Sequence, residues 1–255
     1  MTTVDVHQPA TIWESVATTR WGRYTSEVVE DAIWTACEMA GNPGSALEVG
    51  CEGGRWSRLL ANMGWGLTCT DIDPHVLSLC QRRVPGANCI LVSPDATTLP
   101  CAGNAVSLVL CLEVFPVIDS TWFAREASRV LTDEGVLVGV VLNRTSLRGT
   151  FVRVKQYLTG ASPFYNVSYC EWRRRMRAAG FTISFERGYC WFPFTRASNS
   201  IFAPTFIRLE RWLGLSRLTM LSPWVVFIAR KRSSLVDVLG RAVSSNRHHR
   251  SSSSI

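Results

Sequence analysis

Four acidic residues close or follow short apolar runs: Glu48 in "SALEVG", Asp71 in "GLTCTDI", Asp95 just after "NCILVS", and Glu113 just after "VSLVLCL". Between the first run and a helical stretch lies "GCEGG", with Gly50, Gly53 and Gly54. Glycines at such a turn let backbone N–H groups approach a ligand without side-chain bulk in the way. Asp71, 21 residues after Gly50, is spaced to accept hydrogen bonds from both hydroxyls of a ribose, and the next residue is the apolar Ile72. Asp95 could accept a hydrogen bond from an adenine amino group. Each acid alone could equally be a loop acid or a helix cap. Together they occupy consecutive strand ends on one edge of a sheet.

The elements that must position them alternate. Strands are expected at 45–50, 66–72, 88–93, 106–112 and 135–142, and helices at 55–63, 74–83 and 120–131. Short strands that are apolar throughout are covered on both faces, so the pattern predicts a Rossmann-like, doubly wound, mostly parallel α/β sheet. Residues 1–44 read as a helical N-terminal lead that stops at "GNPG", and 45–142 as the ligand-binding core. Residues 143–232 complete the sheet with helical and aromatic inserts, and 233–255 form a basic, Ser-rich tail expected to be disordered.

The composition excludes several classes of function. The net charge of +7 is partly carried by Arg241, Arg247 and Arg250 in the tail, so the body is only modestly basic and no nucleic-acid partner is expected. Nine cysteines, none in a CxxC spacing, read as small buried apolar residues in a reducing compartment, with no metal site expected. The opening "MTTVDVHQPA" lacks a signal-peptide core, and no apolar run is long enough to span a membrane, so a cytoplasmic, soluble protein is expected. Of the histidines, His7, His248 and His249 lie in polar ends, and His75 reads as a solvated residue at a helix start.

"LEVGCEGG", "TDIDP", "DATTLP" and "ASRVLTDEGVLVGVV" occur in order and at compatible spacing, and by these motifs residues 45–142 resemble a class I S-adenosylmethionine-dependent methyltransferase. The resemblance is to the small-molecule group that includes the ubiquinone and menaquinone methylases. It implies a seven-stranded sheet whose last strand, "PWVVFIARK", is antiparallel, and S-adenosylmethionine as cofactor. On the matching positions, Glu48 would orient the cofactor's amino group and Gly50 and Gly54 would pass close to its amino-acid arm. Asp71 with Ile72 would take the ribose, and Asp95 with Ala96 the adenine. Three departures stand out: Glu52 where the family carries glycine, Glu134-Gly135 for a double glycine, and Val117 where many relatives have a histidine.

Methyl transfer from a sulfonium needs alignment in a water-poor pocket more than it needs acid–base chemistry. Glu113 is the nearest acid to the expected methyl position and the one candidate for a catalytic role. Trp191 and Phe194 in the long aromatic connection, and Tyr157 in the preceding insert, are candidate walls for a small apolar or ring-bearing acceptor. The competing reading is that these rings only pack a lid. In "RGTFVRVKQYL" cations are interleaved with apolar residues. That pattern suits an ordinary helix with its apolar side on the domain, the preferred reading, and also a helix lying on a membrane surface, a possible peripheral contact. Two other functions compete: a non-catalytic partner subunit that keeps the methyltransferase shape, and a nicotinamide-dependent oxidoreductase. Glycines reading G-x-x-G-G rather than G-x-G-x-x-G argue against the second. The acceptor and the oligomeric state are left open.

Overall fold

The computed structural model describes residues 11–160 and 165–233. The tail expected to be disordered, Phe164 and three of the four histidines therefore lie outside the described residues, apart from Ser233.

The chain runs α1 (Ile12–Thr18), α2 (Arg20–Ala40), β1 (Ser45–Val49), α3 (Arg55–Asn62), β2 (Gly66–Asp71), α4 (Pro74–Arg83) and β3 (Asn88–Leu91). It continues with β4 (Val106–Cys111), α5 (Phe115–Ile118), α6 (Phe123–Val130), β5 (Leu131–Leu142), α7 (Leu147–Thr159) and α8 (Tyr169–Ala178). β6 (Phe181–Tyr189), α9 (Ala203–Trp212), a 3₁₀ turn (Leu215–Arg217) and β7 (Trp224–Lys231) complete it. Seven strands form one sheet in the order β3-β2-β1-β4-β5-β7-β6. β1 to β5 pair in parallel, and β7 runs antiparallel to both β5 and β6. This is the doubly wound sheet, antiparallel ending included, that the sequence predicts.

Local chemistry sets the helix starts. Thr11 and Thr19 cap α1 and α2 by accepting from the N–H groups of Glu14 and Gly22 at 3.2 and 3.1 Å. Asp73 caps α4 from His75 N–H at 2.8 Å, ahead of Pro74 at the first helical position, where its missing N–H costs nothing. α3 starts instead from Gly54 in the left-handed region, φ 78°, with no side-chain cap. β4, β5 and β7 sit at the centre, with Leu108 to Cys111, Val136 to Val138 and Val225 to Ala229 fully buried. Their continuous apolar runs follow from cover on both faces.

Three details differ from expectation. The helix expected from residue 120 begins at Phe123, where Ser120 Oγ accepts from the Phe123 N–H at 3.2 Å, and "FPVI" forms the short separate α5. The aromatic connection contains α9 and the 3₁₀ turn. The preferred reading of α7 is corrected: Leu147, Phe151, Val154 and Leu158 face outward at 89, 70, 56 and 76% exposure, and only Gly149 in the helix is buried. Gly149 makes the close approach, since a Cβ there would stand 2.4 Å from the carbonyl oxygen of Asn143.

Candidate active site

Strand register brings the acids to one edge. Val49 lies opposite Thr70 and Cys111, and Asp71 opposite Leu91, so the residues that follow β1, β2, β3 and β4 emerge side by side. That carboxyl edge is where open α/β sheets bind ligands.

Gly50 turns the chain with φ 69°, and a Cβ there would come within 2.4 Å of Val114 Cγ2, so the loop after β4 lies directly on the turn. Glu52 adopts φ 51°, and its N–H donates to Asp71 Oδ2 at 2.8 Å. Asp71 Oδ1 accepts from the Asp73 N–H at 3.1 Å. Each oxygen of Asp71 holds one backbone donor and keeps lone-pair capacity for more. Beside it Ile72 is 58% exposed, and Asp95 is exposed next to half-buried Ala96. An open apolar side chain beside the Asp71 carboxylate, with a second exposed carboxylate after the neighbouring strand, fits an adenosine group.

Glu48 sits beneath the turn. It is buried, and its Oε2 accepts a short hydrogen bond from Ser57 Oγ of α3. Burial pushes its carboxyl up to about 8, against the opposing effect of the Ser57 bond. One oxygen is thus committed inside the protein, and any reach toward a ligand falls to the other. Beside Ser57 lie Cys51 from the turn, Cys69 from β2 and Cys80 from α4, all buried, with sulfur atoms within 4.8 Å of one another. The thiols of Cys69 and Cys80 donate weakly to Ser57 Oγ at 3.4 and 3.6 Å. The cysteines are buried as expected, but this gathering is invisible in spacings that contain no CxxC.

Glu52, the main departure in the glycine turn, is half-buried and turns toward the Thr11 hydroxyl and the backbone of Trp13; burial raises its carboxyl. The same junction holds an ion pair between Arg83 and Glu14 at 2.6 Å, and Arg83 Nη1 also donates to the Gly53 carbonyl at 2.7 Å. α1 is therefore clamped over the turn. Trp21 N–H donates to the Ser198 carbonyl at 3.0 Å, and Thr19 Oγ1 to the Arg196 carbonyl at 3.0 Å. The N-terminal lead and the aromatic connection are thus sewn together above the strand ends.

Glu113 takes φ 63° after β4 and pairs closely with Arg196, a partner 83 residues later that the sequence reading did not single out. Burial raises the Glu113 carboxyl, opposed first by Arg196 and then by Arg55. Arg196 lies over the rings of Trp13, at 4.7 Å, and Trp224, at 5.6 Å. Its Nε is buried and meets no hydrogen-bond partner among the described residues, and the same holds for the fully buried Tyr189 hydroxyl, which feels the charges of both Glu113 and Arg196. Arg196 and Tyr189 are the site residues that sequence reading missed. The available signal was an arginine and a tyrosine set among aromatics, and it has no fixed spacing to Glu113.

Phe194 stacks at 4.8 Å on Trp21 and at 5.5 Å on Phe206, so that ring packs the connection onto α2. Trp191 is half-buried; its indole N–H is buried without a hydrogen-bond partner among the described residues. Tyr157, 89% exposed on α7, walls nothing in this arrangement. His75 is exposed, as a solvated residue should be.

Residues 47–139 match the family model described as a methyltransferase domain. A methyltransferase-like protein of Schizosaccharomyces pombe is 28% identical over 156 residues, 59% of this chain and 57% of the relative. A ubiquinone biosynthesis O-methyltransferase of Azorhizobium caulinodans is 32% identical over 102 residues, 39% of this chain and 40% of the relative. The chain thus spans about half the length of these curated relatives. Among solved structures, an S-adenosylmethionine-dependent methyltransferase from Methanosarcina mazei superposes with a TM-score of 0.57 at 18% identity, over 79% of this chain and 97% of that one. The fold is therefore the methyltransferase fold.

Proposed function

We propose that this chain, whose residues 47–139 are a methyltransferase domain, transfers a methyl group from S-adenosylmethionine to a small apolar or ring-bearing acceptor. The observation that carries the reading is the joined edge: the glycine turn donates to Asp71, the next residue is the exposed Ile72, and exposed Asp95 follows β3, which pairs with β2. Asp71 would hold the ribose hydroxyls, Ile72 and Ala96 the adenine faces, and Asp95 the adenine amino group. Gly50 to Gly54 and the uncapped start of α3 would meet the amino-acid arm with backbone N–H groups. The cofactor would supply a sulfonium methyl whose bond to sulfur breaks as the bond to the acceptor forms.

On the acceptor side, the chain offers Glu113, Arg196, Tyr189 and Trp191. Glu113 would accept a hydrogen bond or a proton from an acceptor hydroxyl. Arg196 keeps it oriented, and the surrounding rings exclude water. The closed cover of α1 and the aromatic connection favours an acceptor that is itself largely apolar.

Calorimetric titration with S-adenosylmethionine, S-adenosylhomocysteine and a nicotinamide dinucleotide tests the cofactor. Binding of the first two and not the third is expected, and the reverse would overturn the reading. Labelled S-adenosylmethionine turned over against a metabolite extract, with mass analysis for a gained methyl, tests transfer. Cofactor binding with no labelled product from any extract fraction would leave the partner-subunit reading standing.

A further inference from the structure

We propose that α7 is a docking helix for an anionic membrane surface. At about 100° per residue, Leu147, Phe151, Val154 and Leu158 fall within an arc of about 60°. All four are exposed, at 56 to 89%. The opposite side of the helix carries its contacts with the protein, through buried Gly149 and half-buried Val152 and Gln156. An amphipathic helix packed on a domain turns its apolar stripe inward; α7 turns it outward. Lys155 borders the stripe, a position from which its long side chain reaches headgroups while its stem follows the apolar face, and exposed Arg153 lies farther round the helix.

Charge selects the occupant. No Asp or Glu occurs from Gly135 to Cys170, a stretch that holds Arg144, Arg148, Arg153 and Lys155. A protein partner would more commonly present an apolar groove with mixed charges, whereas an apolar stripe on a segment whose charged residues are all cations matches a bilayer with anionic headgroups. The surface continues past the helix. Asn143 Nδ2 donates to the Met220 carbonyl at 2.8 Å, which brings the loop with exposed Leu218, Met220 and Leu221 to the start of α7. That loop also lacks acids and contains Arg217. Docking is independent of the acceptor. On the proposed function it would also bring an apolar acceptor within reach, because Arg148 ties α7 to the aromatic connection by donating to the carbonyls of Phe192 and Phe194 at 3.3 and 3.2 Å.

The test is co-sedimentation of the full chain with vesicles of phosphatidylcholine plus phosphatidylglycerol, and of phosphatidylcholine alone. Binding to the anionic vesicles is expected to exceed binding to the neutral ones by about tenfold or more and to weaken with salt. The pair Phe151→Glu, Leu158→Glu should abolish binding, and Arg153→Glu, Lys155→Glu should remove the preference for anionic vesicles. Melting temperature and S-adenosylmethionine titration should be unchanged in both pairs, which separates lost docking from lost fold or lost cofactor site. Absence of binding to either vesicle, or binding that both pairs leave intact, overturns the proposal. So does a stable dimer that the Phe151→Glu, Leu158→Glu pair dissociates, since the stripe would then serve a second copy of the chain.

Discussion

The backbone N–H of Glu52 donates to the carboxylate of Asp71 at 2.8 Å, so the glycine turn after β1 and the acid that ends β2 form one piece. A ligand that bridges them meets groups already held at fixed separation, and little ordering is left to the moment of binding.

Asp71→Ala removes the carboxylate proposed to hold the ribose and frees the Glu52 N–H together. S-adenosylmethionine affinity should fall by about 2–3 kcal/mol, the scale of charge-assisted hydrogen bonds. Calorimetry on a variant with intact circular dichroism measures it; unchanged affinity would make Asp71 a turn residue only.

Gly54 and Gly41 both have positive φ, 78° and 83°, but Gly54 is left-handed helical and Gly41, with ψ −138°, lies where essentially only glycine goes, and they differ in space. A Cβ at Gly54 would stand 2.9 Å from Cys80 Sγ and 3.1 Å from Cys80 Cα, while at Gly41 it meets nothing within 4 Å. Alanine at Gly41 should cost about 1–3 kcal/mol of backbone strain, and alanine at Gly54 about 2 kcal/mol or more from milder strain plus the clash. Denaturant melts of the two variants compare strain alone with strain plus clash.

Glu48 makes stability depend on pH. Burial raises its folded-state pKa to about 8 from the ordinary 4.5. Between those values the native state keeps a proton that the unfolded chain has lost, so the stability from this group is complete below about 4.5 and drains away as pH rises toward about 8. Glu48→Gln cannot titrate. The melting temperature of the native protein minus that of Glu48→Gln should therefore fall steadily across this window, and a flat difference would mean that Glu48 is ionised when folded.

The pair formed by Glu113 and Arg196 should act as a unit. Arg196→Ala leaves a largely buried carboxylate without its cation, so turnover should drop by about tenfold or more, and Glu113→Gln should also reduce it. The double variant should lose less than the sum of the two, by about 1 kcal/mol or more in transition-state terms. Additive losses would show two independent residues.

Trp191 and Phe194 should separate. Phe194 carries ring contacts with Trp21 and Phe206, so Phe194→Ala should lower stability by about 1–3 kcal/mol. Trp191→Ala should instead raise the acceptor's Michaelis constant with cofactor affinity within about twofold. Thermal melts beside steady-state kinetics decide, and a destabilised Trp191→Ala with normal kinetics would make both rings packing residues.

By itself the sequence determined the sheet and its ligand edge. Short apolar strands, punctuated by turns, are covered by helical layers on both faces, and a parallel register carries Gly50, Asp71 and Asp95 to one side whatever the loops do. The last strand was legible as the apolar run "PWVVFIARK", and its antiparallel direction was what the family resemblance implied. Only the tertiary structure decided what meets across long stretches of chain. Arg196 reaches Glu113, Glu52 turns to Thr11, and Cys51, Cys69 and Cys80 converge beneath the turn, none of them at a spacing a pattern could reveal. The orientation of α7 is the clearest case. Periodicity fixes which residues share a stripe, but whether the stripe faces the domain or the solvent depends on where the neighbouring backbone passes. Here the turn that leads into the helix, at Asn143 and Arg144, crowds the side opposite the stripe at Gly149, the one glycine in the helix.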